Sequence, residues 1–157
     1  MHFIDQDTAF MTEAFKQARK ALEKDEVPVG AVVVHQGKVI SRAYNQVEML
    51  KDPTAHAEMI AITQATNYLQ QKWLSDCSIY VTIEPCSMCA GALVLARIKE
   101  IIYGAADPKT GACGSVIDIV NNSRLNHQID VRKGVLAREC AVLLSQFFQE
   151  KRAKGKK

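Results

Sequence analysis

The chain has 157 residues, of which 48% are hydrophobic, and its formal net charge is +3. This length and hydrophobic content suit one globular domain with a buried core, so we expect residues 1–157 to form a single domain. The first ten residues lack an export signal, and no segment approaches the roughly 18 apolar residues of a membrane helix. We therefore expect a cytoplasmic protein without a membrane partner. Five cysteines without an export signal favour thiols or metal ligands over a disulfide framework.

The first elements that the sequence predicts are a helix and a hairpin. Between residues 7 and 24, apolar residues recur at steps of three and four while charged residues occupy the other face, which indicates an amphipathic helix. Two β-branched runs follow, VGAVVVH at 29–35 and VISRAY at 39–44, and the turn residues QGK separate them. This pattern predicts two antiparallel strands joined by a tight turn.

Helices and strands alternate through the middle of the chain. The segment 45–54 has no periodicity and ends in a proline and Thr54, so we expect a loop with Thr54 as the N-cap of a helix over about 55–69. The run SIYVTI at 78–83 predicts a buried strand, and a helix that begins near the sequence PCSMC follows it directly. Another apolar strand is predicted at 100–105.

The last third of the chain has a less regular pattern, which predicts only part of its secondary structure. Residues 117–134 mix short strand-like pieces with turn residues and receive no firm assignment, whereas 135–150 show the apolar stripe of a final helix. The basic tail 151–157 is expected to be frayed or disordered. The alternation of strands and helices predicts a three-layer α/β/α sandwich with a central mixed sheet, largely parallel, in which the hairpin is the antiparallel part.

Two short motifs carry the residue types of a catalytic zinc site. Zinc prefers imidazole and thiolate ligands, and a catalytic site commonly uses three protein ligands and leaves the fourth position to water. Cys86 and Cys89 are spaced i, i+3 at the predicted start of a helix, so both sulfurs can reach one ion. A helix N-terminus also favours the thiolate form that binds metal. His56, at the start of another predicted helix, is the third candidate ligand.

Glu58 has a different predicted role. Two residues along a regular helix turn a side chain by roughly 200°, so His56 and Glu58 can serve one site only at the helix end. A carboxylate there can take a proton from metal-activated water and deliver it to a substrate nitrogen, which predicts a hydrolytic site with Glu58 as proton shuttle. Taken separately, the cysteine pair also fits structural zinc or core packing, and the histidine also fits a core or surface position.

Five segments together resemble the family of bacterial tRNA-specific adenosine deaminases over nearly the whole chain: EVPVGAVVV, DPTAHAE, EPCSMCAGA, DPKTGACGS and GVLARECAVLLSQFF. The pair H-x-E and P-C-x-x-C is the signature of zinc nucleobase deaminases. The resemblance implies a cytidine deaminase-like fold, one zinc ion per subunit, and hydrolytic deamination of adenosine to inosine at the wobble position, the first anticodon position of a tRNA. It also implies a homodimer that binds the tRNA anticodon stem-loop and uses no nucleotide cofactor.

The resemblance also implies roles for individual residues. His56, Cys86 and Cys89 match the zinc ligands of the family, and Glu58 matches its proton shuttle. Asn45 matches an asparagine that holds the purine ring, although from the sequence alone it is a turn residue. Further residues implied to contact RNA are Asp107, Lys109, Thr110, Phe148 and Arg152. Without the resemblance, loop residues of this kind are solvated and an aromatic residue on an apolar stripe is a core residue.

Two alternatives remain open. The first is a zinc deaminase of another base or nucleoside, such as cytidine or guanine, because the zinc chemistry is shared and specificity depends on pocket shape. The second is a non-catalytic, zinc-stabilised RNA-binding module, which would close the metal site with a fourth protein ligand. No metal-binding role is predicted for the other cysteines and histidines: Cys77, Cys113, Cys140, His2, His35 and His127. Of these, Cys77 and Cys140 fit small buried residues.

Overall fold

A five-stranded mixed sheet forms the centre of the computed structural model, which describes residues 5–155. The strands are β1 (Gly30–His35), β2 (Lys38–Tyr44), β3 (Cys77–Ile83), β4 (Glu100–Ala105) and β5 (Asp130–Lys133). Their order across the sheet is β2-β1-β3-β4-β5. Strand β1 is antiparallel to both β2 and β3, whereas β3, β4 and β5 are parallel. The predicted mixed sheet is confirmed, but it is not largely parallel. Two of the four strand pairings in the described sheet are antiparallel, because β1 pairs antiparallel with β3 as well as with β2.

Helices cover both faces of this sheet. They are α1 (Gln6–Glu23), α2 (Val47–Leu50), α3 (Ala57–Leu69), α4 (Ser87–Leu95) and α5 (Ala137–Gly155). On one face, Met11 of α1 packs with Val32 and Ile102 of the sheet. Helix α5 crosses the same face at Gly104, where an added Cβ would lie 2.8 Å from the Cys140 sulfur. Glycine is therefore needed at that position for α5 to approach the strand.

The opposite face carries α3 and α4. Strand residues alternate between the two faces, so Val33 and Ile79 point away from Val32 and pack with Ala61 of α3 and Leu93 of α4. The small side chains of α3 allow the helix to lie close to the sheet. The predicted three-layer α/β/α sandwich is confirmed.

The sheet register places the ends of several strands side by side, at the same end of the sheet. Tyr44, the last residue of β2, pairs with Gly30, the first residue of β1. Next to them, Ala31 pairs with Val81 near the end of β3, and the ends of β3 and β4 pair through Ile83 and Ala105. The segments that follow β2, β3 and β4 therefore leave the sheet side by side. These segments contain most of the residues predicted to form the site.

Helix α3 begins later than the sequence predicted, and Thr54 is not its N-cap. The Asp52 carboxylate accepts hydrogen bonds from the Thr54 N–H and hydroxyl groups at 2.8 and 2.7 Å, which forms a turn before the helix. His56 is the N-cap, with extended φ and ψ angles of −76° and 152°. The short helix α2 also lies inside the segment that was predicted to be a loop.

The final helix is longer than predicted. It begins at Ala137, continues through residues 151–155 and ends at Gly155, so these residues are not a disordered tail; residues 156 and 157 lie outside the described range. Lysine, arginine and alanine are good helix formers, and basic side chains near a helix C-terminus interact favourably with its dipole. Lys151 also donates to the Asp25 carboxylate at 2.7 Å, which ties this end of α5 to the end of α1.

The remaining cysteines and histidines lie in ordinary structural environments. Cys77 and Cys140 are buried, as predicted. His35 bonds Asp76 at 2.8 Å, and the ring of His127 bonds the Ile98 carbonyl at 2.6 Å. Cys113 is half-buried, and His2 lies outside the described residues. None of the helices in residues 5–155 has the length and apolar character needed to cross a membrane.

Candidate metal and catalytic site

His56 and Glu58 lie at the N-terminal end of α3. His56 is the N-cap and is half-buried, whereas Glu58 is the second helical residue and is 2% exposed. Because the backbone at His56 is extended, the two side chains are not held in the divergent arrangement of a helix interior. Both line one cavity of about 370 Å³. The structure therefore meets the geometric requirement that the sequence set for this pair.

Cys86 and Cys89 lie at the N-terminal end of α4, where Cys86 is the N-cap. Their sulfurs are 3.7 and 3.6 Å from the Nδ1 atom of His56. A tetrahedral zinc ion with ligand bonds of about 2.3 Å to sulfur and 2.1 Å to nitrogen requires an N···S separation of about 3.6 Å. The three side chains thus have the spacing that a tetrahedral metal site requires.

The cluster has three potential ligands. The ligand atoms of His56, Cys86 and Cys89 lie within 4.8 Å of one another. Among residues 5–155, no fourth His, Cys, Asp or Glu side chain brings a ligand atom equally close to all three. A closed structural site would need such a ligand, whereas a catalytic site leaves this position to water or substrate. The arrangement therefore favours an open site over the structural alternative.

The side chains of the site have perturbed proton affinities. Burial raises the pKa of Glu58 from 4.5 to about 7. Hydrogen bonds from Cys89 and His56 lower the pKa of Cys86 to about 4, so this thiolate exists at neutral pH even in the absence of metal. The hydrogen bond to Cys86, together with the negative charges of Glu58 and Cys86, raises the pKa of His56. Metal binding requires thiolates: the lowered pKa of Cys86 favours that form, whereas the hydrogen bond to Cys86 and burial raise the pKa of Cys89, which must lose its proton when metal binds.

The residues that the resemblance assigned to the substrate surround the same cavity. Asn45, Asp107, Thr110 and Phe148 line it together with His56 and Glu58. The Oδ1 atom of Asn45 accepts the Ala57 N–H at 2.7 Å, which fixes the side chain and leaves its NH₂ group to donate to a ligand. Phe148 is 44% exposed although its neighbours on the apolar stripe of α5 are buried.

A groove of about 420 Å³ adjoins the cavity. Lys109 and Arg152 line this groove, and Asp107 and Phe148 are shared by both spaces. The Asp107 carboxylate is already engaged within its own turn, where it accepts the Lys109 N–H at 2.9 Å and the Thr110 hydroxyl at 2.7 Å. All six predicted substrate residues are thus brought to one surface region, with two basic side chains on its outer part.

Two buried carboxylates at the cavity were not identified from the sequence. Glu26 is 1% exposed and accepts the N–H groups of Glu48 and Met49 at 2.9 and 2.7 Å, which holds α2 against the cavity. Glu84 is also 1% exposed. Burial raises the pKa of Glu84, but hydrogen bonds from Ser115 and from backbone N–H groups outweigh this effect, and its pKa is below the usual value. An acidic residue directly after the buried strand SIYVTI was the available signal.

Comparisons with known proteins agree with this site. Residues 4–152 match the family described as MafB19-like deaminase. A tRNA-specific adenosine deaminase of Bacillus subtilis is 48% identical over 98% of this chain and 95% of its own length. A chain from a study of A-to-I editing by tRNA:A34 deaminases at the wobble position of transfer RNA superposes with a TM-score of 0.84. It is 45% identical and covers 87% of this chain and 99% of its own.

A guanine deaminase from Bacillus subtilis is also similar, with 39% identity and a TM-score of 0.60, but over only 62% of this chain and 63% of its own. The match to the adenosine deaminase extends over nearly the full length of both proteins. The chain therefore belongs to the MafB19-like deaminase family, and within it to the group of tRNA-specific adenosine deaminases.

Proposed function

We propose that the chain is a single deaminase domain that converts adenosine to inosine at the wobble position of tRNA by zinc-dependent hydrolysis. The observation that carries the proposal is the buried carboxyl of Glu58, which lines one cavity together with His56 and Cys86. These two residues and Cys89 are the three potential metal ligands at the N-terminal ends of two helices. The near full-length similarity to a tRNA-specific adenosine deaminase supports the substrate.

The chemistry follows from the side chains around the cavity. His56, Cys86 and Cys89 would hold a zinc ion, which supplies the Lewis acidity that lowers the pKa of water toward neutral. Glu58 takes a proton from the attacking water and delivers it to N1 of the adenine as a bond forms from oxygen to C6. Glu58 then takes the proton of the new C6 hydroxyl group and delivers it to the amino group, the C6–N bond breaks, and ammonia leaves. One water is consumed, and inosine remains.

The raised pKa of Glu58 suits this role. A general acid and base works best when its pKa is close to the working pH, because it must both accept and donate the proton. Burial holds the pKa of Glu58 at about 7. A bound cation would stabilise the carboxylate and lower this value, so that Glu58 is ionised and able to accept a proton at neutral pH. Its 2% exposure keeps bulk water from competing for the proton.

The surroundings of the cavity support an RNA substrate. A base can enter the cavity only if it leaves the stack, and the NH₂ group of Asn45 can then donate to an acceptor on its edge. The exposed ring of Phe148 offers a face on which a neighbouring base can stack. Lys109 and Arg152 in the adjoining groove can pair with phosphates. This arrangement predicts binding of an extruded base together with its flanking backbone.

We further propose that the protein acts as a homodimer in the cytoplasm, as the family resemblance implies. Exposed apolar side chains support a contact with a second copy: Leu95 is 80% exposed, and it shares a groove with Trp73 and Leu125, which are 46% and 40% exposed. Sedimentation equilibrium should give twice the chain mass of 17.4 kDa. A mass of one chain at micromolar concentration would contradict the dimer.

Incubation of the purified, zinc-loaded protein with a set of tRNAs, followed by sequencing, tests the proposed activity. Inosine reads as guanosine, so substrate and position appear together as an A-to-G change at the first anticodon position. Glu58→Gln is the matched inactive control, because it retains the size of the side chain but cannot accept a proton. If none of the tRNAs incubated with the wild-type protein shows a change at the first anticodon position, the proposal is refuted.

The same preparation separates the alternatives. Ammonia release is measured from guanine, cytidine, adenosine and an anticodon stem-loop RNA. Faster release from guanine or cytidine than from the stem-loop would assign the protein to a deaminase of another substrate. The RNA-binding module would be supported instead if X-ray absorption spectroscopy shows zinc bound by four protein ligands and no substrate releases ammonia.

A further inference from the structure

Glu84 collects an unusual number of hydrogen bonds from one loop, residues 107–115. Its Oε1 atom accepts the Asp107 N–H at 3.1 Å and also the Ser115 hydroxyl. Its Oε2 atom accepts the N–H groups of Cys113 and Ser115 at 3.0 and 3.1 Å. Within residues 5–155, all hydrogen bonds to this carboxylate come from that loop. Hydrogen bonds to a buried, charged acceptor are stronger than those between neutral groups.

The loop also packs directly onto the carboxylate. An added Cβ at Gly111 would lie 2.4 Å from Cδ of Glu84 and 2.5 Å from each of its oxygens. Only glycine allows the loop backbone to pass over the carboxylate at this distance. The loop and Glu84 therefore form one packed unit.

This unit includes the backbone of a predicted metal ligand. The Pro85 carbonyl accepts the Ala112 N–H at 2.9 Å, and Cys86 pairs with Gly111 in an isolated antiparallel bridge. The other end of the loop carries Asp107 and Thr110, which line the cavity. A displacement of the loop would thus change the substrate side of the cavity and the segment that carries Cys86 together.

We propose that Glu84 is a positioning residue for the substrate: its carboxylate holds the 107–115 loop in the conformation that presents Asp107 and Thr110 to the RNA and links this loop to the Cys86 segment. The proposal rests on the proposed function, since it takes the anticodon stem-loop as the substrate. The carboxylate is required because all four of its partners are donors. A glutamine places an NH₂ group where one oxygen stood, and that group cannot accept the bonds of that oxygen.

Glu84→Gln tests this role through two independent measurements. Hydrogen–deuterium exchange at the amides of Asp107, Cys113 and Ser115 in this loop should become faster, because Glu84 is the acceptor of these three N–H groups. KM for an anticodon stem-loop RNA should rise by roughly tenfold, the effect of losing one hydrogen bond to a charged group, at fixed salt concentration. kcat and zinc content should change much less, because Glu58 and the metal ligands remain.

Two further variants serve as references. Ser115→Ala removes one of the four donors, so it should produce the same changes at a smaller size. Glu26→Gln alters another buried carboxylate of the same cavity, which binds α2 instead. It should leave exchange in the 107–115 loop unchanged. This comparison separates the loss of a specific acceptor from a general effect of removing a buried charge.

Unchanged exchange in the loop of Glu84→Gln would overturn the proposal, as would a fall in kcat with KM unaltered. If Glu84→Gln does not fold, Ser115→Ala decides by the same two readouts, and its failure to change either one overturns the proposal. The exchange measurement does not depend on activity. Failure of the proposed function would instead appear as wild-type protein that does not deaminate the stem-loop, whatever the exchange results are.

Discussion

The substitution Glu58→Gln is expected to lower turnover strongly and also to stabilise the metal-free protein at neutral pH. Burial raises the pKa of Glu58 from 4.5 to about 7. The folded protein therefore binds this proton more tightly than the unfolded chain does. Such a group adds stability at low pH, and its contribution is lost as the pH rises from 4.5 through 7. At about 1.4 kcal/mol per tenfold change in proton affinity, the loss amounts to about 3 kcal/mol.

Glutamine is neutral at every pH and so behaves like the protonated carboxyl. In protein stripped of metal by a chelator, we expect the free energy of unfolding of Glu58→Gln minus that of the wild type to increase by about 3 kcal/mol between pH 4.5 and pH 8. Urea unfolding followed by circular dichroism measures this difference. After zinc is restored, the variant should retain the metal but lose about 10²- to 10⁴-fold in turnover, the usual contribution of general acid–base catalysis.

Parallel stability profiles for the two proteins would refute the argument, because they would mean that Glu58 ionises as freely in the fold as in the unfolded chain. Substantial turnover by zinc-loaded Glu58→Gln would refute its role as proton shuttle. The two results are independent, since the stability measurement is made without metal or substrate. The comparison therefore distinguishes an error about burial from an error about the chemistry.

Cys86→Ala should lose most bound zinc by elemental analysis, whereas Cys77→Ala, which alters a buried cysteine away from the site, should retain it. Gly30→Ala should lower the free energy of unfolding by about 3 kcal/mol or more, because its Cβ would lie 2.1 Å from a backbone oxygen of α1. Gly91→Ala, with open space around it, should be neutral or slightly stabilising in thermal unfolding. Arg152→Ala should raise KM for the stem-loop RNA and reduce its salt dependence by up to about one unit of log–log slope.

Much of the fold could be predicted because it depends on local patterns. The periodicity of α1, the β-branched runs of the hairpin and the strand at 100–105 were all read correctly from neighbouring residues. A further strand was expected in the segment 117–134, but β5 could not be located there, since its four residues are mostly exposed and polar and have no hydrophobic alternation. It is a strand because β4 offers an unpaired edge next to it, which is a long-range interaction.

The boundaries of the helices depended on contacts that the sequence does not display. Thr54 looked like an N-cap, but its side chain bonds Asp52 in a turn, and the helix begins after His56. The end of α5 was predicted to fray, but it continues to Gly155, with Lys151 bonded to Asp25 from another part of the chain. In the first case a neighbouring residue competed for the Thr54 side chain, and in the second a residue from another part of the chain bonded near the helix end.

The sequence by itself determined the chemistry of the candidate site: the imidazole, the two thiols and the carboxylate follow from residue types and from spacings of two and three residues. Only the tertiary structure determined that these groups meet. The strand register places the C-terminal ends of β2, β3 and β4 at the same end of the sheet, next to the start of β1. The tertiary structure also determined the roles of Glu26 and Glu84. In the sequence alone, these two acidic residues cannot be distinguished from acidic residues exposed to solvent. Their burial, and the backbone N–H groups that surround them, arise from segments more than 20 residues away along the chain.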